Sequence, residues 1–215
     1  MSADPELRDG DVDAPLAQEW PGLRLLWTAL EAAPGPSPPE LRERLRLVSD
    51  RFRGAQAIAL RRQPIPHAYR VFFRHIGIEP DERRIPVEAL ALERMQRGGF
   101  RSRNALDDAI TIAVMDTSVP VWALDADTIE GSLRLRESAH GEPLGRGEDA
   151  ATLPAGRLVV ADERGPLAEL FGDPAPAHGV TRRSARIVLF SVAVPGVPGI
   201  SVEEALWTVW DTLAG

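Results

Sequence analysis

The chain has 215 residues, 44% of them hydrophobic and 27% charged, with 25 basic residues against 32 acidic ones and a net charge of −7 at pH 7. That is long and apolar enough for one globular domain with a real core, and too acidic for a generic nucleic-acid binder, whose non-specific affinity comes from neutralising phosphates. No apolar run approaches the roughly 20 residues a bilayer-spanning helix needs, and the absence of cysteine excludes a disulfide framework, a thiol nucleophile and a zinc–thiolate site.

The first 19 residues hold six acids and one arginine without apolar periodicity. They are expected to be a disordered acidic tail outside the fold, leaving a single domain over residues 20–215. This opening also lacks the basic-then-apolar order of a signal peptide, and the expected location is the cytoplasm. Residues 22–32, GLRLLWTALEA, read as a strand that stops at PGPSPP, where four prolines in six residues end any regular element.

Pro39 suits the first turn of a helix with Leu41, Leu45 and Val48 on one face. HAYRVFFRHI places Tyr69, Phe72, Phe73 and Ile76 at helical spacing before Gly77, and Pro86 opens a third helix that carries Leu90 and Met95 inward and ends at Gly98. A fourth helix is expected over residues 105–115. Beyond it the period changes, because SLRLRES, GRLVVAD and SARIVLFSVAV read as strands. The chain closes on a helix with a capping box of Ser201 and Glu204, and with Val202, Leu206, Val209 and Leu213 sharing a face. Helices first and strands later predict an α+β domain with a largely antiparallel sheet built from residues 119–194, N-terminal helices packed on it and the C-terminal helix covering one face.

No Gly-rich phosphate loop, nucleophile elbow or H-E-x-x-H helix is present. His67, His75, His140 and His178 lack ligand spacing and read as surface or capping residues, so neither metal nor cofactor is expected. All the basic residues are arginine, and residues 40–103 hold fifteen of them against eight acids, a net +7 within the acidic chain. Arg42 and Arg46, one helical turn apart, are the candidate RNA contacts on that stretch; the alternative is that these arginines only solvate amphipathic helices.

An ordered series of landmarks runs from Tyr69 to Glu142: Tyr69 and Arg70, Gly77 to Pro80, Pro86 to Leu90, then Asn104, Asp108, Pro120, Asp125, Gly131, Arg136, Gly141 and Glu142, with Asp162 and Gly165 following. The series resembles freestanding B3/B4 domain proteins, relatives of the tRNA-editing domain of the phenylalanyl-tRNA synthetase beta subunit. The resemblance implies a cleft among Asn104, Asp108, Thr111, Trp122 and Asp125 that receives the aminoacylated end of a tRNA. It implies hydrolysis of a mischarged ester by positioned water, with tRNA as partner and no DNA or membrane. Three departures stand out: Trp122 replaces a pocket histidine of that family, Thr111 replaces an asparagine, and Glu169 and Asp173 lie where relatives carry positive charge. Two readings therefore remain open beside the aminoacyl-tRNA hydrolase. One is a non-catalytic binding module for an amino acid, an RNA end or a partner protein; the other is a structural partner of a synthetase-like complex.

Overall fold

A computed structural model describes residues 6–52, 54–148 and 150–214 of the chain. In order, the elements are β1 (Arg8–Val12), α1 (Ala14–Glu19), β2 (Arg24–Glu31), α2 (Pro39–Arg51), α3 (Gly54–Leu60), α4 (Pro64–His75), α5 (Pro86–Arg97), α6 (Ala105–Thr117) and β3 (Trp122–Asp125). They continue with β4 (Arg134–Glu137), β5 (Glu142–Leu144), β6 (Ala151–Leu153), β7 (Leu158–Ala161), β8 (Pro166–Glu169), β9 (Arg186–Ala193) and α7 (Gly199–Ala214).

Seven strands form one sheet in the order β3-β9-β2-β1-β4-β7-β8, and β5 and β6 make a separate hairpin. Every pairing in the large sheet is antiparallel except β1 with β4. The α+β class with a mainly antiparallel sheet and a C-terminal helix is the one expected. The sheet, however, is not confined to residues 119–194. β2 lies inside it, paired along its whole length with β9, and β1 lies at its centre.

Residues 8–19, assigned in sequence to an acidic tail, are thus β1 and α1; residues 1–5 lie outside the described set. The cause is backbone pairing. Asp9 and Gly10 face Leu26 and Leu25 of β2, and Asp11 and Asp13 donate backbone N–H bonds to Leu133 and Leu135 carbonyls at 3.0 Å. A Cβ at Gly10 would lie 2.7 Å from the Leu133 carbonyl oxygen, so only glycine permits this approach.

The helical layer follows the sequence pattern closely. Leu41, Leu45 and Val48 of α2 are buried, as are Tyr69, Phe72 and Phe73 of α4. Tyr69 donates its hydroxyl to the Val192 carbonyl at 2.8 Å, fixing α4 to β9. Arg70, also buried, reaches both oxygens of Glu88 in α5 at 2.9 and 3.1 Å and Asp81 at 2.9 Å. The Tyr-Arg and P-x-E-A-L landmarks therefore act first as anchors between helices and sheet, because a buried guanidinium needs its carboxylate partners.

Two local expectations need correction. Met95 is 49% exposed rather than inward. α7 begins at Gly199, so Ser201 lies within its first turn and donates its N–H to Pro198 instead of capping. The inward face of α7 is as expected, with Val202, Leu206 and Val209 buried and Leu213 partly so. No helix among the described residues is long and apolar enough to cross a membrane.

Candidate functional site

The N-terminal end of α6 is built from short polar contacts. Asn104 is its N-cap, accepting from the Asp107 N–H at 2.9 Å, while its amide donates to Asp107 Oδ2 at 3.0 Å. Thr111, one turn on, donates its hydroxyl to the Asp107 carbonyl at 2.8 Å. These three residues line an open cavity of about 500 Å³, whose opposite wall is Trp122 on β3 and Phe171 after β8.

Trp122 packs between Phe190 and Phe171, with ring centroids 5.7 and 5.8 Å away. Phe171 also meets Tyr69, Phe72 and Phe73. Its backbone takes φ = +60°, a conformation that non-glycine residues adopt only when surrounding contacts enforce it. A strained aromatic residue in a cavity wall is a feature no sequence pattern announced.

Of the five expected site residues, Asn104, Thr111 and Trp122 come together, and Asp107 joins them. Asp108 does not line the cavity. It is 2% exposed and accepts from Ser37 Oγ at 2.6 Å, Ser102 Oγ at 2.5 Å and the Arg103 N–H at 3.0 Å, binding the proline-rich linker to α6. Asp125 is likewise outside the lining: it accepts from the Asp127 N–H and from Ser184 Oγ, holding a short 3-10 turn over residues 126–128. Both carboxylates thus have local donors and stand outside the cavity lining, Asp108 bracing the linker and Asp125 the turn.

Arg42 and Arg46 also lie outside the cavity lining, on the solvent face of α2. Arg46 is held between Glu43 at 2.7 Å and Asp50 at 2.5 Å, and those carboxylates neutralise it locally. The cavity instead carries Arg84 and Arg103, together with Asp173 from the acidic stretch.

Away from the cavity, Arg136 and Glu142 form a two-pronged ion pair at 2.5 and 2.9 Å. Its hydrogen bonds hold Glu142 below the usual carboxylate range. His178 is 1% exposed rather than a surface residue. Its Nδ1 meets Thr128 Oγ1 at 3.0 Å, and burial pushes its pKa down, helped by nearby Arg146. No group of His, Cys, Asp or Glu residues among those described is arranged to hold a metal ion.

An α+β fold with a cavity between one helix N-terminus and an aromatic strand face is the class of structure defined so far. Comparison with known proteins gives the family. The family model described as "B3/4 domain" matches residues 68–197, a span containing the landmarks from Tyr69 through Asp162 and Gly165. The chain belongs to the B3/4 domain family.

Its curated relatives include phenylalanine–tRNA ligase beta subunits. That of Neisseria meningitidis serogroup B is 34% identical over 126 residues, 57% of this chain and 14% of the subunit. That of Cutibacterium acnes is 31% identical over 107 residues, 48% of this chain and 12% of the subunit. The match thus spans about one-seventh of these relatives' length or less. A solved N-terminal fragment of the phenylalanyl-tRNA synthetase beta subunit from Pyrococcus horikoshii is a distant likeness, with a TM-score of 0.41 at 17% identity, over 53% of this chain and 41% of that one.

Proposed function

We propose that the protein is a cytoplasmic, trans-acting aminoacyl-tRNA deacylase that hydrolyses a mischarged ester with a positioned water in the Asn104–Thr111–Trp122 cavity. The observation that carries this reading is the polar end of α6 facing an aromatic wall across about 500 Å³ in a B3/4 domain. The volume suits an amino-acid side chain with its ester. Asn104 fixes one oxygen of Asp107, and the other has no hydrogen-bond partner among the described residues, so it can accept from a water. The Thr111 hydroxyl uses its proton on the Asp107 carbonyl and keeps lone pairs for the same water.

Hydrolysis then runs as general-base catalysis. The water oxygen bonds to the ester carbonyl carbon, its proton passes to Asp107, the bond from that carbon to the ribose oxygen breaks, and the proton finishes on the ribose oxygen. Free amino acid and tRNA are the products. The test is a deacylation panel of several mischarged tRNAs, comparing wild type with Asp107→Asn. Loss of hydrolysis in the variant is expected, and absence of activity on every charged tRNA would sink the reading.

One observation favours a non-catalytic binding module instead. The described cavity lining carries Trp122 and no histidine, so a proton relay by imidazole is absent there. Tight binding of an aminoacyl-adenosine without turnover would select this second reading.

A further inference from the structure

We infer that Arg84 and Arg103 form a clamp for the phosphates of an RNA 3′ end entering the cavity, a proposal that rests on the aminoacyl-tRNA reading of that cavity. Both guanidinium-bearing residues line it. Each stands just before a helix: Arg84 two residues ahead of Pro86 in α5, Arg103 immediately ahead of the α6 cap Asn104. Neither position is loose. The segment before α5 is tied down by Arg83, whose guanidinium donates to the Phe171 carbonyl at 3.1 Å. The Arg103 backbone is held by buried Asp108 and its side chain leans on Glu93 at 3.0 Å.

The charges of the lining select among ligands. Arg84 is exposed at the cavity edge and has no ion-pair partner among the described residues. Against the two arginines stand the carboxylates Asp107 and Asp173. A free amino acid offers one ammonium and one carboxylate. An aminoacylated RNA end offers an ammonium, no carboxylate because that group is esterified, and several phosphates. Two guanidiniums suit two phosphodiesters, which arginine binds in a forked geometry, Arg103 exchanging its exposed Glu93 contact for one of them, and the carboxylates suit the ammonium. The arginines of residues 40–103 do not act as a uniform strip, because eight of the fourteen described have carboxylate partners, Arg103 among them.

The experiment measures binding of a single-stranded RNA ending in CCA, uncharged, to the full chain over a salt series. The Arg84→Gln/Arg103→Gln variant is compared with wild type, and Arg42→Gln/Arg46→Gln serves as the control. Each phosphate contact contributes about −0.7 to the slope of log affinity against log salt for a single strand, so the clamp variant loses about 1.4. Between about 50 and 200 mM salt, wild-type affinity then falls about 7-fold more than that of the variant.

An unchanged slope in the clamp variant, a slope change in the control instead, or no binding by wild type at low salt would each overturn the clamp. A parallel assay with aminoacyl-adenosine, which has no phosphate, separates the two ideas. If wild type and clamp variant hydrolyse charged tRNA equally, the clamp fails and the deacylase stands. If nothing is hydrolysed but the salt slope depends on Arg84 and Arg103, the deacylase fails and the clamp stands.

Discussion

Trp122 stacks on Phe190, the two rings 5.7 Å apart and 18° from parallel, because the two residues are register partners on β3 and β9. Cross-strand aromatic pairs of this kind stabilise a sheet beyond simple burial. Trp122 is half-buried and has its remaining surface in the cavity. Trp122→Ala is expected to cost roughly 1–3 kcal/mol in urea unfolding and to weaken aminoacyl-adenosine binding by about tenfold. Unchanged ligand affinity in a folded variant would remove Trp122 from the site.

Asp108→Ala separates support from chemistry. Its three hydrogen bonds join residues as distant as Ser37, and the buried serine hydroxyl would be left unpaired. The expected loss is about 2–4 kcal/mol of stability. In the fraction that stays folded, turnover per molecule is expected to be retained, whereas Asp107→Asn should do the reverse. Active-site titration alongside denaturant melts checks this; a fully stable but inactive Asp108→Ala protein contradicts it.

Deletion of residues 1–19 tests the placement of β1. Removing the strand between β2 and β4 leaves two sheet edges unpaired in the middle of the molecule. The truncated chain is expected to aggregate or lose cooperative unfolding by circular dichroism. Gly10→Ala makes the same point more gently, with overpacking against Leu25 and the Leu133 carbonyl costing roughly 1–3 kcal/mol. A truncated protein with the wild-type melting curve would return these residues to a dispensable tail.

Asp162 sets an acid limit on stability. Burial alone would raise its pKa, but backbone N–H groups of Glu130, Arg164 and Gly165 and the Arg146 guanidinium bind the charged form and hold it below the usual aspartate value. A carboxylate with a depressed folded pKa contributes stability that is present above its unfolded pKa near 3.8 and is lost as pH falls through the folded value. Wild type should therefore lose stability more steeply below about pH 4 than Asp162→Asn, which starts less stable. Parallel acid-unfolding curves for the two proteins would refute this role.

What the sequence determined by itself was whatever a short period encodes. Leu41, Leu45 and Val48, the Tyr69–Phe73 face and the inward side of α7 were legible because burial repeats every three or four residues along a helix. The ordered landmarks likewise gave the family, since they are read along the chain. Tertiary structure decided what depends on partners far apart in sequence. β1 joins the sheet through backbone hydrogen bonds while most of its side chains stay exposed, so it has no apolar period to read. Asp108 braces the linker outside the cavity lining because Ser37, 71 residues away, donates to it. Phe171 entered the cavity wall through a left-handed backbone that only its packed neighbours can enforce. The arginines followed the same logic: their count was in the sequence, but the folded chain's carboxylates decided which of them are paired, as Arg46 is and Arg84, among the described residues, is not.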